Sequence, residues 1–447
     1  MREESDSFGS VEISSDALYG IQTVRTNQNL SFSGRILSQY PTYIESLAMV
    51  KKAAALANQE AGVLGKKTAQ AIIEACNSLM KGQYHEHFLV DILHGGGGIG
   101  TNMNVNEVIA NLANEWFGMP RGSYTPVHPV EHVNSSQSTS DVCHTALRLA
   151  IIKSFLPLYH VLEKLVESIN AKARDFQSVT TIARTCLQDG VRVQLGDTFF
   201  GFSHVIKRRL VSLEDAVNKL YSINLGGTVI GSGVGAPQAY RDTVLAKLCD
   251  VTGMKLSYRE NLFDAAQNMD DLARVSSELR LLASCLLKIA KDLRLLSSGP
   301  EAGFAEIRLP AVQAGSSFFP GKVNPVIPET LIQCCFQIIG CDAVVQSTLE
   351  HGELNLNVFE GAAGANILDA MTMLEKAIIT FTEKCMKGIE ANREHCEELA
   401  NSYIPLVMEL KEQVGYTATT KLIKELDKEE IKRMIKHGGI QNDASYQ

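Results

Sequence analysis

No run of basic residues in this chain is longer than a few positions. Lys207-Arg208-Arg209 is an isolated cluster, and the Lys/Glu mixture from Lys421 to Lys436 reads as a solvated helix face. Lys and Arg number 42 against 50 Asp and Glu, a formal net charge of −8. Nucleic acid is therefore not an expected partner. The opening MREESDSFGS is acidic and lacks the apolar core of a secretory leader. No apolar run reads as a bilayer span, since the richest, Leu279 to Leu296, carries five charges at helical spacing. No membrane association is expected. The ten cysteines are scattered without a CxxC pair, and only Cys334 and Cys335 are adjacent. That pattern excludes a disulfide frame and zinc-ligand spacing, and it fits the reduced thiols of a cytoplasmic protein. Histidines at ligand spacing are missing too, apart from His128 and His132 on either side of Pro129 in a loop-like stretch. No metal is expected.

What the chain does have is apolar content and long periodic segments. At 45% hydrophobic and 21% charged residues, it has the composition of an ordinary globular protein with a sizeable core. A length of 447 residues allows two or three domains or one large unit. Asp141–Arg174 keeps helical spacing with no glycine and a single proline, Pro157. Leu262–Leu296 has neither residue, and Glu329–Glu350 and Ala362–Glu390 add two more long segments. Their apolar stripes are wide and rich in small residues, which predicts close lengthwise packing in a bundle and burial on more than one side. A coiled-coil rod is the alternative, but a strict heptad is absent.

Glycine- and serine-rich islands interrupt these helices. They are HGGGGIGTNM (His94–Met103), HPVEHVNSSQSTSD (His128–Asp141), ARTCLQDGVRVQLG (Ala183–Gly196), Leu225–Tyr240 and GSSFFPGKVNPVIPE (Gly315–Glu329). Each opens or closes a long helix, an arrangement that suggests one site built from distant segments.

Gly315-Ser316-Ser317-x-x-Pro320-x-Lys322-x-Asn324-Pro325 resembles the signature loop of the aspartase/fumarase superfamily. TNMNVNEVIANLA, HVNSSQSTSD and ARTCLQD resemble its other conserved regions, in the same order, and the similarity runs from YGIQTVRTNQN (Tyr19–Asn29) to the C-terminal helices. YGIQTVR and KVNPVIPE are more similar to aspartate ammonia-lyases than to fumarases, and HPVE (His128–Glu131) lacks the Asn-Asp of the fumarase HPND. The resemblance implies an all-α fold with a small N-terminal helical domain (1–137), a central five-helix bundle (138–392) and a small C-terminal helical domain (393–447). It implies a homotetramer whose bundles form a twenty-helix core, active sites shared by three subunits, a small amino-acid-type substrate and no cofactor.

The reaction so implied is β-elimination, which needs a base, a sink for developing negative charge and a clamp on the substrate. Ser316 is the candidate base, with Ser317 beside it. A serine serves as base only where positive charge or backbone N–H groups stabilise its alkoxide, and otherwise it reads as a turn or cap residue. Lys322 and Asn324, a fixed cation and a donor, suit a carboxylate, and the resemblance adds Thr185 from another subunit. Ser138 and Thr139 fall where the family binds the group whose charge grows, at the start of a long helix. A plain N-cap is the alternative reading there.

The leaving-group pocket departs from the family. Ile99 stands for its threonine, Ser140 for its asparagine and Cys186 for the histidine that pairs with a glutamate, here Glu329. Ile99 and Cys186 are poor acceptors for an ammonium. The expectation is a carbon–nitrogen lyase expelling a bulky or alkylated amine, such as trimethylamine from a betaine like ergothioneine, as an ergothionase does. Two other readings stay open: aspartate ammonia-lyase (or, further off, fumarase) and a catalytically silent structural relative.

Overall fold

The computed structural model describes residues 1–436, and the final stretch of the expected C-terminal domain, 437–447, lies outside the described residues. The protein is mostly helical, as expected. Two short strands, β1 (Arg2–Asp6) and β2 (Gly9–Ile13), pair antiparallel and lead into α1 (Ile21–Leu30), α2 (Pro41–Glu60), α3 (Lys66–Met80) and α4 (Ile99–Trp116). Five long helices follow: α5 (Thr139–Asp175), α6 (Leu195–Asn218), and then, after α7 (Gln238–Thr252) and α8 (Leu262–Gln267), α9 (Asp270–Leu296), α10 (Val326–Glu350) and α11 (Glu360–Lys384). Four shorter helices, from Arg393–Ala400 to Lys428–Lys436, close the described chain.

The chain divides into two units, each drawing on segments far apart in sequence. The first comprises residues 1–160, 209–283 and 336–375, and the second 161–208, 284–335 and 376–447.

Within the first unit, α2 is seated by apolar residues at helical spacing, with Ile44, Leu47, Ala48, Ala54 and Ala55 all buried. The long helices are joined there by polar groups as well as apolar ones. Arg148 on α5 is buried and holds Asp271 on α9 through two bonds of 2.9 Å. Gln346 on α10 donates to the Ala273 carbonyl and to Ser277 Oγ on α9, each at 3.1 Å. Within the second unit, Phe176 at the end of α5 packs edge-on to Phe199 of α6. Lys288 of α9 lies over the Phe202 ring at 5.3 Å.

Four readings are corrected. Leu262–Leu296 is two helices, α8 and α9. Asn268 takes an extended conformation and its side chain bonds Asp264 at 2.8 Å, while Asp270 and Asp271 open the next helix. The extended backbone at Asn268 ends α8 despite an unbroken apolar stripe. The island Ala183–Gly196 lies mostly in an antiparallel hairpin, β3 (Thr180–Thr185) and β4 (Gln188–Gln194), turned at Cys186 and Leu187, both with positive φ. That φ pair matches the primed turns that suit strand twist. The helix expected over Ala362–Glu390 ends at Lys384. The most apolar long helix is α10 rather than Leu279–Leu296. It is long and apolar enough to cross a membrane by length and composition, and 28% of its most apolar window is buried.

Arg148→Ala leaves Asp271 buried beside Arg259, which lies 3.2 Å away and retains part of the compensation. The variant should lower the urea midpoint by the equivalent of about 3 kcal/mol. An unchanged midpoint would show that the pair carries no net weight.

Candidate active site

The start of α5 is built by a reciprocal cap. Ser138 N–H donates to Asp141 Oδ1 at 2.9 Å, and Ser138 Oγ accepts from Ser140 N–H at 3.4 Å. This is the S-x-x-D form of a capping box. Asp141 is buried, and its other oxygen accepts the N–H groups of Gly226 and Thr228 at 3.0 and 3.1 Å. Burial pushes its carboxyl up to about 6 against these bonds. Ser140 donates to the carbonyls of Thr228 and Val229, at 3.0 and 2.8 Å, so its hydroxyl is committed to the backbone of the 225–240 island.

Behind Thr139 lies a polar network that the sequence reading passed over. Asn102 Nδ2 donates to Thr139 Oγ1 and to Asn134 Oδ1, both at 3.0 Å. Asn134 Oδ1 also accepts from Asn106 at 3.2 Å and from the Lys51 ammonium at 2.9 Å. Lys51 is buried on α2, and desolvation pulls its pKa down to about 7 despite the fields of Cys143 and Asp141. TNMN and HVNSSQ were singled out as motifs, but nothing in their spacing names Asn102 and Asn134 as partners, and Lys51 sits in an alanine-rich helix that reads as core.

Ile99 is the first residue of α4 and is 48% exposed. His94, just before the glycine run, bonds the Gly95 carbonyl through Nδ1 at 2.8 Å and accepts the Thr101 N–H at Nε2 at 3.0 Å. His128 and His132, the one pair at ligand spacing, are tied into local turns. His132 Nδ1 accepts His128 N–H at 2.9 Å, and His128 Nδ1 accepts two further backbone N–H groups.

The remaining expected residues lie in the second unit. The signature loop is drawn closed at its neck. Gly315 N–H donates to the Lys322 carbonyl at 2.8 Å, and Asn324 Nδ2 donates to the Gly315 carbonyl at 2.7 Å. A Cβ at position 315 would come within 2.5 Å of Asn324 N, so the close approach requires glycine. Inside the loop, Ser316 Oγ accepts the N–H groups of Phe318 and Phe319 at 3.0 and 2.8 Å. Ser317 is exposed, and the exposed Lys322 reaches over the Phe319 ring at 5.7 Å. Thr185 closes strand β3, and Cys186 is exposed at the hairpin tip. Glu329, in the first turn of α10, pairs with Arg294 of α9 at 3.1 Å, so the carboxylate expected to lack its histidine has a guanidinium instead.

A family model described as a lyase matches residues 9–340. An aspartate ammonia-lyase of Helicobacter pylori is 43% identical over 425 residues, covering 95% of this chain and 91% of that protein. One from a Bacillus species is 40% identical over 441 residues, covering 98% and 94%. A solved structure described as fumarate lyase:delta crystallin from Brucella melitensis bound to cobalt matches with a TM-score of 0.93 at 42% identity, covering 97% and 98%. The protein is thus an enzyme, a carbon–nitrogen lyase. It belongs to the aspartase/fumarase superfamily.

Lys51 gives this arrangement a pH signature. Between about pH 7 and pH 10 the unfolded chain holds a proton that the folded one has released, so this position's contribution to stability rises with pH there. Below pH 7 both states are protonated and the full cost of burial is felt. Lys51→Met should therefore be more stable than the parent at about pH 6, by on the order of 3 kcal/mol, with the gain shrinking toward pH 10. Parallel stability curves for the two proteins would rule this out.

Proposed function

We propose that the protein releases ammonia from aspartate, or from a closely similar amino acid, leaving an α,β-unsaturated carboxylate. The observation that carries this reading is Ser316 Oγ facing two backbone N–H groups. Those donors stabilise an alkoxide, the condition a serine base must meet. Ser316 takes the proton from the carbon beside the charge-accepting group. The electron pair forms the double bond, the C–N bond breaks, and nitrogen leaves with its bonding pair.

Lys322, Asn324 and Thr185 hold the α-carboxylate, with Ser317 alongside. Ser138 and Thr139 receive the developing charge at the N-terminus of α5, where N–H groups and the helix dipole favour it. Relatives that are aspartate ammonia-lyases support ammonia as the leaving group, and they give the quaternary-amine expectation no support. Ile99, Ser140 and Cys186 remain the positions by which the proposed leaving-group pocket differs in polarity, with Glu329 retained beside them. Other copies of the chain cover the exposed apolar side chains of α10 and α11, such as Phe336, Val344 and Ile379, in a tetramer whose sites are shared by three subunits.

L-Aspartate should yield ammonia and fumarate in equal amounts, with a kcat/KM above that for any betaine. Ser316→Ala should cut kcat about a thousandfold or more while the protein stays folded. Faster trimethylamine release from ergothioneine would reverse the assignment of the leaving group, and near-normal turnover by Ser316→Ala would remove the base.

Co-refolded Thr185→Ala and Ser316→Ala subunits should recover part of the activity that each lacks. Mixed assemblies no more active than either parent would count against shared sites.

A further inference from the structure

The glycine-rich loop before α4 has little of its own to hold it. Gly96, Gly97 and Gly98 take positive φ, at 81°, 60° and 88°, a region that glycine enters without steric cost. Gly98 is the N-cap of α4 and brings no side-chain acceptor. The first N–H groups of a helix lack partners within it, so they must find acceptors elsewhere.

His94 supplies one. Its ring is buried and spans the four glycines to reach α4. Thr101 N–H donates to Nε2 at 3.0 Å, and Nδ1 lies 2.8 Å from the Gly95 carbonyl oxygen. A backbone N–H only donates and a carbonyl only accepts, so the proton sits on Nδ1 and Nε2 is the acceptor. Thr101 Oγ1 lies 3.0 Å from the same nitrogen. One ring thus caps α4 and ties the entry of the glycine run to its exit. The fit around it is close, since a Cβ on Gly100 would come within 3.1 Å of His94 Nε2 and 2.7 Å of Thr26 Cγ2. The exit meets the start of α5. Cys143 Sγ lies 3.9 Å from the Gly98 carbonyl oxygen, and Asn102 bonds Thr139 Oγ1 at 3.0 Å. Ile99 falls between those two contacts.

We propose that His94 is a positioning residue, whose ring fixes the glycine-rich loop, and with it Ile99, against the start of α5. That Ile99 borders the leaving group rests on the reaction proposed above, whereas the loop contact stands without it. The role requires Nε2 to stay bare. An imidazolium has two donors and no acceptor, so protonation turns the Thr101 contact from a bond into a repulsion. Desolvation holds the ring below its ordinary 6.5, against the Gly95 bond and the field of Asp91. The titratable groups around it are Asp91 on its own segment, and Tyr43 of α2 and Glu360 of α11, which line one cavity with it. A histidine favoured neutral in the fold contributes fully above that ordinary value, and the contribution is lost as pH falls below it.

Two readouts test this on the full protein. Deuterium exchange at the Thr101 amide, corrected for its intrinsic rate, reports the cap without turnover. At about pH 7.5 it should be roughly tenfold faster in His94→Leu than in the parent. His94→Gln offers a carbonyl acceptor that does not titrate, so it should keep the protection. Between about pH 7 and pH 5.5 protection should fall in the parent and hold in His94→Gln. The second readout is kcat/KM for L-aspartate. His94→Leu should lose about tenfold or more, mainly in kcat. The ratio of parent to His94→Gln should be level above about pH 7 and fall roughly threefold by pH 5.5. If His94→Leu does not fold, the pH comparison with His94→Gln decides alone. Equal protection in parent and variants, or protection in the parent that does not fall with pH, would overturn the cap. Protection that behaves as expected beside parallel kcat/KM profiles would overturn the positioning role. The expected protection in a protein that releases no ammonia from aspartate would leave the loop contact standing and sink the proposed reaction.

Discussion

Much of the first unit's polar architecture depends on Asp141. One carboxylate, fully buried, accepts three backbone N–H groups: one from the residue that caps α5 and two from the island at 225–240. Desolvation works against it, which is why its carboxyl is raised even with three donors in place. That opposition gives the contact its structural weight. A buried carboxylate that loses a donor is left with an uncompensated charge, so the helix start and the distant loop hold one another in place. Ser138 and Thr139, offered at the same helix end, inherit their positions from it.

The same region carries a second costly group. Lys51 brings an ammonium into the interior with a carboxamide oxygen, Asn134 Oδ1, as its acceptor, and that oxygen is shared with Asn102 and Asn106. A protein selected for stability alone would place an apolar residue there. Through Asn102 the network reaches the Thr139 hydroxyl, so the buried Lys51, charged below about pH 7, stands behind the end of α5 where developing negative charge is proposed to be received. Desolvated polar groups gather where the charge sink is proposed, which is where departures from simple packing are expected.

The long helices were legible because their signal is local and repeated, and α5 departs from its expected span by two residues at its start and one at its end. α6 was passed over although Leu195, Phe199, Phe202, Ile206, Leu210 and Leu213 lie buried at helical spacing. Two glycines and the neighbouring island masked that period. The hairpin at 180–194 was hidden because its turn uses Cys186 and Leu187 at positive φ, where glycine or asparagine would have announced it. The loop residues Ser316, Lys322 and Asn324 were legible only as a motif. What each hydrogen-bonds is a tertiary fact. Asn324 illustrates this, since one of its amide hydrogens closes the loop neck while the residue was read solely as a ligand for substrate.

The leaving-group question turns on acceptors rather than on pocket size. Ile99 has none, and the Ser140 hydroxyl is already committed to two backbone carbonyls. Judged by those two positions, an ammonium would be left with unsatisfied donors, and an alkylated amine would avoid that penalty. The balance changes once carboxylates are counted. Glu329 keeps an ion partner in Arg294, at a site exposed enough that the pair contributes little to stability and stays free to rearrange. The substitutions that first argue against ammonia therefore leave Glu329 as the carboxylate proposed to face the leaving group, and the aspartate ammonia-lyase relatives are what supports ammonia there.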